Sequence, residues 1–349
     1  MRYGVVIHGP EVIDLGIAEK VLDQLATMGD VEATLGGAMG AAALIDAGLE
    51  DRVTVRGRQL VSDALVEMDR RSDEVILLNH SKTPASGQAF GRMVVSRVVQ
   101  RLEVPLVQID AGFYILWRPP MGTAVASLVR SMRLREAPPT RMVEMSPYRR
   151  VISGVEIGEN VWMDGIVVGR AIDEVVEVRL VQGELAFTGL EPKEHGIEKL
   201  AITDLSRTII RSGSVRRTEG GEGRLQATGD RIILIDHRAE DALFRGRDIK
   251  AAVSVGDDTT RIATSLLARL GVPVIGIVDG DEDGICMDSN AAEGSLRIVL
   301  QPGNDDHLGA LVRERIFRGQ DEIEYQGTIG ELTSKIKHLA GNKVRALVR

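Results

Sequence analysis

Two stretches of the chain alternate short apolar runs with segments of helical period, and this alternation restricts the fold more than any other feature. The first stretch covers residues 4–112 and the second covers residues 230–317. Short, continuously apolar runs are typical of strands buried on both faces, and a helix between two strands allows them to pair in parallel. The pattern therefore predicts an α/β fold with two parallel-sheet domains, of which the N-terminal one is doubly wound.

The composition agrees with this fold class. Aromatic residues make up only 3% of the chain, so the core must consist mainly of aliphatic side chains, which fill α/β sheets and their covering helices. Hydrophobic residues make up 44% and charged residues 27%, as expected of a globular protein. A length of 349 residues exceeds the roughly 100–200 residues of one domain, which predicts two or three domains.

Between the two α/β stretches the pattern changes. Five prolines interrupt residues 119–149, which indicates a connector around a helix near Thr123–Met132. Residues 150–227 contain short alternating runs separated by glycines, as in a small β-rich module. We therefore expect an N-terminal α/β domain (1–118), a connector (119–149), a β-rich module (150–227), a second α/β domain (228–319) and a helical tail (320–349).

The location and the partners follow from charge, cysteine content and hydropathy. The net charge of −8 provides no basic field for nucleic acid, so such contact would rest on local arginines, for which a solvated surface is the simpler interpretation. The single Cys286 excludes an internal disulfide, and no apolar run approaches the roughly 18 residues that span a membrane. We expect a cytoplasmic protein without membrane contact. The amphipathic segment Ile329–Leu339 could dock on the chain itself or on a partner, which leaves a homo-oligomer open.

Acidic residues follow each strand predicted in the second α/β domain. Ligands of open parallel sheets bind outside the carboxyl ends of the strands. Carboxylates gathered there repel one another unless a cation neutralises them, and hard oxygen ligands suit Mg²⁺ or Mn²⁺. For Asp258 and Asp306 the alternative is a helix cap. The acidic residues after the four strands are Asp236, then Asp257 and Asp258, then Asp279, Asp281 and Asp283, and finally Asp305 and Asp306.

Three segments of this domain resemble the Toprim domain of primases and topoisomerases. They are Arg231–Leu243, Ala252–Arg261 and Val274–Ile285, and together they extend over about ninety residues. The resemblance implies a Toprim-like α/β domain in which a carboxylate after the first strand takes part in acid–base chemistry and an Asp-x-Asp motif after the third strand binds Mg²⁺.

Carried over to this chain, the resemblance assigns the metal to Asp279 and Asp281, with Asp283 in the same run. The acid–base role falls on Asp236, where the family usually has glutamate, and Glu240 one helical turn later is a possible substitute.

A second resemblance covers most of the chain. His8–Asp14, Leu35–Gly40 and Gly256–Thr260 resemble segments of an uncharacterised family of archaeal proteins from methanogens. This resemblance implies an archaeal origin and no particular activity.

Loops after the N-terminal strands add candidate ligand-binding residues. Gly36 and Gly37 precede a helix, where backbone N–H groups can approach an anion, and Lys82 follows another strand. The alternatives are tight packing for the glycines and a surface position for the lysine. His8 and His80 could meet as acid–base groups or metal ligands, although structural histidines are more common. Neither a P-loop nor a dinucleotide-binding motif is present in the sequence.

These features predict a Mg²⁺-dependent enzyme that transfers or hydrolyses a phosphoryl or nucleotidyl group of a nucleotide or phosphorylated small molecule. Pyrophosphoryl transfer is a related possibility, because Gly280–Ile285 also resembles a stretch of thiamine and pterin pyrophosphokinases. The alternative is a non-catalytic protein that senses a nucleotide or a metal, or acts as a scaffold, through a degenerate Toprim-like domain. The aspartate at position 236 favours this alternative.

Overall fold

The computed structural model describes residues 1–37, 40–57, 59–141, 146–213, 229–236, 242–243, 248–280 and 291–348. The chain divides into two compact units, residues 1–216 and 217–349. Both units contain parallel or mixed sheets with helices, so the predicted α/β class is confirmed.

The first unit contains a seven-stranded sheet. Its strands are β1 (Arg2–His8), β2 (Asp30–Gly36), β3 (Val53–Thr54), β4 (Glu74–Leu78), β5 (Leu106–Asp110), β6 (Phe113–Arg118) and β7 (Arg135–Glu136). They lie in the order β3-β2-β1-β4-β5-β6-β7. The first five are parallel, β6 runs antiparallel to β5, and β7 is parallel to β6. The strand β7 and a helix over Thr123–Ser131 lie in the predicted connector, so that segment is part of the first sheet domain.

Helices cover both faces of this sheet. They are α1 (Glu11–Asp14), α2 (Ile17–Ala26), α3 (Ala41–Ala47), α4 (Val61–Asp69), α5 (Pro84–Ser96) and α6 (Thr123–Ser131). Right-handed crossovers place helices on opposite faces when the direction of strand addition reverses, and here it reverses after β3. Leu65 of α4 and Val95 of α5 accordingly share one buried cluster with Val6 and Leu77 of the sheet. On β1, Val5 and Ile7 point to the face opposite to that of Val6 and are also fully buried, so both faces of this strand are covered.

Residues 149–212 form two antiparallel sheets with one shared core. The strands are β8 (Arg149–Ser153), β9 (Asn160–Met163), β10 (Ile166–Ala171), β11 (Val175–Val181), β12 (Glu184–Thr188), β13 (Leu190–Pro192) and β14 (Ile210–Ser212), with a short helix α7 (Glu194–Glu198). Their orders are β13-β10-β9-β14 and β12-β11-β8. Val161 and Val168 pack against Val176 and Val178 between the sheets. The segment is β-rich as predicted, and it shares one compact unit with the first sheet.

The second unit is built on a six-stranded sheet. Its strands are β15 (Arg231–Asp236), β16 (Ile249–Val255), β17 (Val274–Val278), β18 (Leu296–Leu300), β19 (Glu322–Glu324) and β20 (Val344–Val348), and its helices are α8 (Asp257–Ala268), α9 (Asp305–Arg315) and α10 (Ile329–Ala340). The order is β19-β15-β16-β17-β18-β20, with the four inner strands parallel and both edge strands antiparallel.

The segment predicted as a helical tail, residues 320–349, belongs to this sheet. The strands β19 and β20 pair with β15 and β18, and so cover the backbone groups that an open sheet would leave unpaired at its edges. Leu332 and Ile336 of α10 are fully buried together with Leu308 and Val312 of α9. The amphipathic face of α10 is therefore used within the unit.

Candidate functional site

The carboxyl edge of the second sheet gathers aspartates from adjacent strands. Asp236 is the last residue of β15 and lies in register with Val255 near the end of β16. Asp257 begins α8 directly after β16, and Asp279 follows β17. Because these strands are parallel neighbours, all three residues lie at the same edge, where the sequence analysis placed them.

Two of these carboxylates connect the loops at this edge. Asp257 Oδ2 accepts hydrogen bonds of 3.3 Å from the backbone N–H groups of Asp279 and Gly280. Asp279 Oδ2 accepts one of 2.6 Å from the N–H of Gly303, which lies in the loop after β18. Both aspartates are buried. Charge-assisted bonds of this kind hold the three loops in a defined arrangement.

Asp305 at the start of α9 brings a further carboxylate to this edge. Its side chain is half-buried, and burial raises its pKa above the usual value. The charges of Asp279 and Asp306 raise this pKa further, against backbone hydrogen bonds that lower it. The ionised form of Asp305 is therefore disfavoured at this edge, first by burial and then by neighbouring carboxylates.

The remaining predicted residues of this unit have different surroundings. Asp258 is exposed and forms an ion pair of 3.1 Å with Arg261 one turn along α8. Asp236 lies 3.7 Å from Arg313 of α9. Glu240, Asp281 and Asp283 lie outside the described residues. Within the described ranges, no group of three or more His, Cys, Asp or Glu side chains is arranged to hold a metal ion.

In the first unit, the predicted anion-binding residues have structural partners. A Cβ atom at Gly36 would lie 3.0 Å from the Cα of Val61, so this glycine allows β2 to pack closely on α4. The N–H of Gly37 donates to the carbonyl of Gln59 at 2.8 Å and is not available to a phosphate. These contacts correspond to the tight-packing alternative for the two glycines.

Lys82 forms an ion pair with Glu159 and lies 3.6 Å from Glu156, both of the β-rich module. Burial lowers the pKa of Lys82, but the hydrogen bond and charge of Glu159 and the charge of Glu156 outweigh burial and raise it above the usual value. The ammonium group is thus neutralised within the unit.

A polar network that the sequence analysis did not assemble occupies the carboxyl edge of the first sheet. His8 Nδ1 and Asn79 Oδ1 are 2.8 Å apart, and Asn79 Nδ2 donates to Asp110 Oδ2 at 2.8 Å. Asp110 also accepts bonds from the backbone and hydroxyl groups of Ser81, and from Gln108. The partner of His8 is thus Asn79 rather than His80.

His8 is held in place on several sides. Its ring stacks on Phe90 with the centroids 4.1 Å apart and an interplanar angle of 17°. Burial lowers the pKa of His8 below 6.5, although the hydrogen bond to Asn79 and the charges of Glu11 and Asp110 oppose this shift. A half-buried imidazole of lowered pKa at a strand end has features that are common in functional sites.

The fold and these strand ends define the class of molecule as a two-unit, mixed α/β protein with polar and acidic groups at the carboxyl edges of its parallel strands. In the described part of the chain, no helix is long and apolar enough to cross a membrane.

Comparison with known sequences identifies the family. Residues 5–320 match the model described as "Uncharacterized protein conserved in archaea (DUF2117)", and the chain belongs to this family. It is 33% identical over 335 residues to an uncharacterized protein of Methanocaldococcus jannaschii, and the match covers 90% of this chain and 92% of that protein. The resemblance to an archaeal family with methanogen members is thereby confirmed.

Proposed function

We propose that the protein is a Mg²⁺-dependent enzyme that transfers or hydrolyses a phosphoryl or nucleotidyl group of a nucleotide or phosphorylated small molecule. The observation that carries the proposal is the convergence of Asp257, Asp279 and Asp305 from three neighbouring strand ends. The resemblance of this unit to Toprim domains points to the same edge and to the same class of reaction.

The carboxylates present suit a hard divalent cation. Mg²⁺ is commonly held by one or two carboxylates, with waters and substrate phosphates completing its coordination. Asp279 holds its carboxylate in place by accepting the N–H of Gly303 at Oδ2. Burial raises the pKa of Asp305, and the negative charges of Asp279 and Asp306 add to this shift, so a cation bound here would favour the ionised carboxylate. Asp281 and Asp283, in the run that follows Asp279, are the further ligands that we propose.

The bound ion would neutralise charge on the phosphoryl oxygens of the substrate. The chain's own groups prepare the edge for this role. The N–H of Gly303 holds the Asp279 carboxylate in position, and Asp257 holds the turn at Asp279 and Gly280. Asp236, one strand away, is the group that would accept a proton from the attacking hydroxyl or water, with Glu240 as the alternative.

A non-catalytic sensor or scaffold is the second candidate. Asp236 lies 3.7 Å from Arg313, so the carboxylate assigned to proton transfer is engaged in an ion pair. In that case, the same edge would bind a metal or a nucleotide without turnover.

A turnover assay tests the proposal. Purified protein is incubated with nucleoside triphosphates, and the release of phosphate or pyrophosphate is measured in Mg²⁺ and in EDTA. We expect turnover in the Mg²⁺ sample and none in the EDTA sample. The Asp279→Asn variant should lose this turnover. The Asp258→Asn variant should retain it, because Asp258 forms an ion pair with Arg261. Turnover that persists in EDTA would contradict the metal site. Stabilisation by nucleotide and Mg²⁺ without turnover would favour the sensor.

A further inference from the structure

The carboxyl edge of the first sheet has a point where the strand order reverses, which the proposed magnesium chemistry does not use. In this sheet β1 and β4 are neighbours, but the chain leaves them toward opposite ends of the sheet, to β2 and to β5. Loops that diverge in this way open a space outside the strand ends, which is where ligands of such sheets bind. His8 is the last residue of β1, and Asn79 directly follows β4.

The hydrogen bonds determine the protonation of the imidazole. The carboxylate of Asp110 accepts from Asn79 Nδ2, so the amide must present its oxygen to His8. His8 Nδ1 therefore donates its proton to Asn79 Oδ1, and in the neutral ring Nε2 keeps a free lone pair. Asp110 is itself fixed by the N–H and hydroxyl groups of Ser81, at 2.7 and 2.6 Å.

Gly37 lies near the Nε2 side of the ring, and the imidazole of His8 is only part-buried. A Cβ atom built at Gly37 would lie 3.9 Å from Nε2 and 3.6 Å from Cδ2 of His8. Phe90 covers one face of the ring, which prevents it from turning away. Gly37 has a φ of +91°, which disfavours any other residue, so the backbone there adds no side chain beside Nε2.

The charges around His8 select the kind of ligand. Among the residues that the structure describes, Glu11 of α1 and Asp110 of β5 are the charged groups that act on the ring, and both are negative. Their charges disfavour a phosphorylated ligand at this position. Because the pKa of His8 is below 6.5, the ring is neutral at pH 7 and can accept a proton.

We propose that His8 is the proton acceptor of a second site, where its Nε2 activates a water or hydroxyl group for attack on an uncharged acyl substrate such as an ester. Nε2 takes the proton while the attacking oxygen bonds to the carbonyl carbon, and the π electron pair of the C=O bond moves onto the carbonyl oxygen. This pair then re-forms the C=O bond as the bond to the leaving oxygen breaks, and the leaving group departs with the electrons of that bond. The imidazolium returns the proton to the leaving group or to solvent. Asn79 and Asp110 are positioning residues, and the site does not depend on the acidic edge of the second unit.

Hydrolysis of p-nitrophenyl acetate by the full-length protein tests this proposal, since the probe is uncharged and reacts with neutral imidazole. We expect His8→Gln to lose about 100-fold of the protein-dependent rate, the size typical of general base catalysis. His80→Gln is the matched control and should stay within about twofold of the parent, as expected of a histidine outside the network. The dianionic p-nitrophenyl phosphate should show no turnover that depends on His8.

The pH profile provides a readout that a merely structural histidine would not change. The rate should fall as the pH falls through a midpoint below 6.5, because protonation removes the lone pair. Asn79→Ala should move this midpoint to lower pH, since the hydrogen bond to Asn79 raises the pKa of His8. Equal rates for the parent and a folded His8→Gln would overturn the proposal. If His8→Gln does not fold, an unchanged midpoint in Asn79→Ala would overturn it instead.

Discussion

Lys82 and Glu159 form an ion pair that joins the loop after β4 of the first sheet to the loop before β9 of the β-rich module. Beside it, the backbone at Gly154 of the module lies against Ser86 of α5. A lysine that the sequence suggested as a ligand-binding group therefore contributes to the contact between two parts of one compact unit.

The contribution of this ion pair can be measured with a double-mutant cycle of Lys82→Met and Glu159→Gln. Because the lysine is half exposed, we expect a coupling free energy of about 0–1 kcal/mol in urea unfolding. Arg52 and Asp23 form a matched pair with a much more exposed carboxylate, and their coupling should be smaller. A coupling above about 2 kcal/mol at Lys82 would mean that solvent screens the pair far less than its exposure indicates.

The same coupling should depend on pH. Burial raises the pKa of Glu159. The hydrogen bonds from Lys82 and from the N–H of Glu156, together with the charge of Lys82, outweigh burial, so the net pKa of Glu159 lies below 4.5. A carboxylate whose folded pKa is lowered contributes stability above its unfolded pKa and loses it as the pH falls through the folded pKa. The coupling measured at pH 7 should therefore disappear on acidification below 4.5. Persistence at pH 2 would contradict the assignment.

Asp305→Asn should change stability in opposite directions with and without metal. In EDTA the variant should melt at the same or a slightly higher temperature, because it removes a carboxylate whose pKa is raised by burial and by like charges. In Mg²⁺ at 100 times its Kd the parent should gain about 2.7 kcal/mol, and the variant less. Asp258→Asn is the control, with an unchanged Mg²⁺ response. An equal loss of stability in both solutions would indicate that Asp305 has a structural role only.

The parent protein should also respond to acid at this carboxyl. The pKa of Asp305 is raised, so the folded state takes up a proton before the unfolded state does. In EDTA, the cost of the charged carboxyl should decrease as the pH is lowered through that pKa. As the pH is lowered from 7 to 4, the melting temperature of the parent should rise relative to that of Asp305→Asn. A constant difference between the two melting temperatures over this range would contradict a raised pKa for Asp305.

Gly122→Ala should destabilise the first unit through a steric clash. Gly122 precedes α6 with a φ of −68°, which alanine tolerates, but its Cβ would lie 2.4 Å from Glu74 Oε2. Glu74 is fully buried and its Oε1 accepts the N–H of Gly122, so the carboxylate can make room only by disturbing this bond, and we expect a loss of about 1–3 kcal/mol in thermal or urea unfolding. Gly330→Ala is the matched control in α10, where the new Cβ has space. It should stabilise by about 0.5–1 kcal/mol.

Gln108→Leu should expose the cost of breaking a buried polar network. The amide of Gln108 donates to Asp110 and to the carbonyl of Gly87, and its oxygen accepts from Trp117. All of these groups would lose a partner in the interior, so we expect a loss of roughly 2–3 kcal/mol. Gln100→Leu changes an exposed glutamine and should have little effect. Equal unfolding curves for the two variants would show that the network contributes nothing to stability.

The elements with strong local patterns were predictable from the sequence. The helix predicted near Thr123–Met132 is α6 over Thr123–Ser131, and α10 extends from Ile329 to Ala340, where the pattern predicted Ile329–Leu339. The side chains of Thr328 and Glu331 form a capping box at the start of this helix, a signal that lies within the helix sequence itself. Short edge strands have no comparable signal, and for this reason β7, β19 and β20 were missed.

The sequence by itself determined which residues stand at the ends of strands, because hydrophobic periodicity and turn residues act within a few positions along the chain. It therefore placed Asp236, Asp257 and Asp279 at one edge, where consecutive strands are also neighbours in the sheet. Only the tertiary structure decided that His8, Asn79 and Asp110 meet. His8 and Asn79 are 71 positions apart, and they stand at the ends of β1 and β4, which are not consecutive along the chain. Which strands become neighbours depends on how all the crossovers bury their helices together, and no local pattern records that outcome.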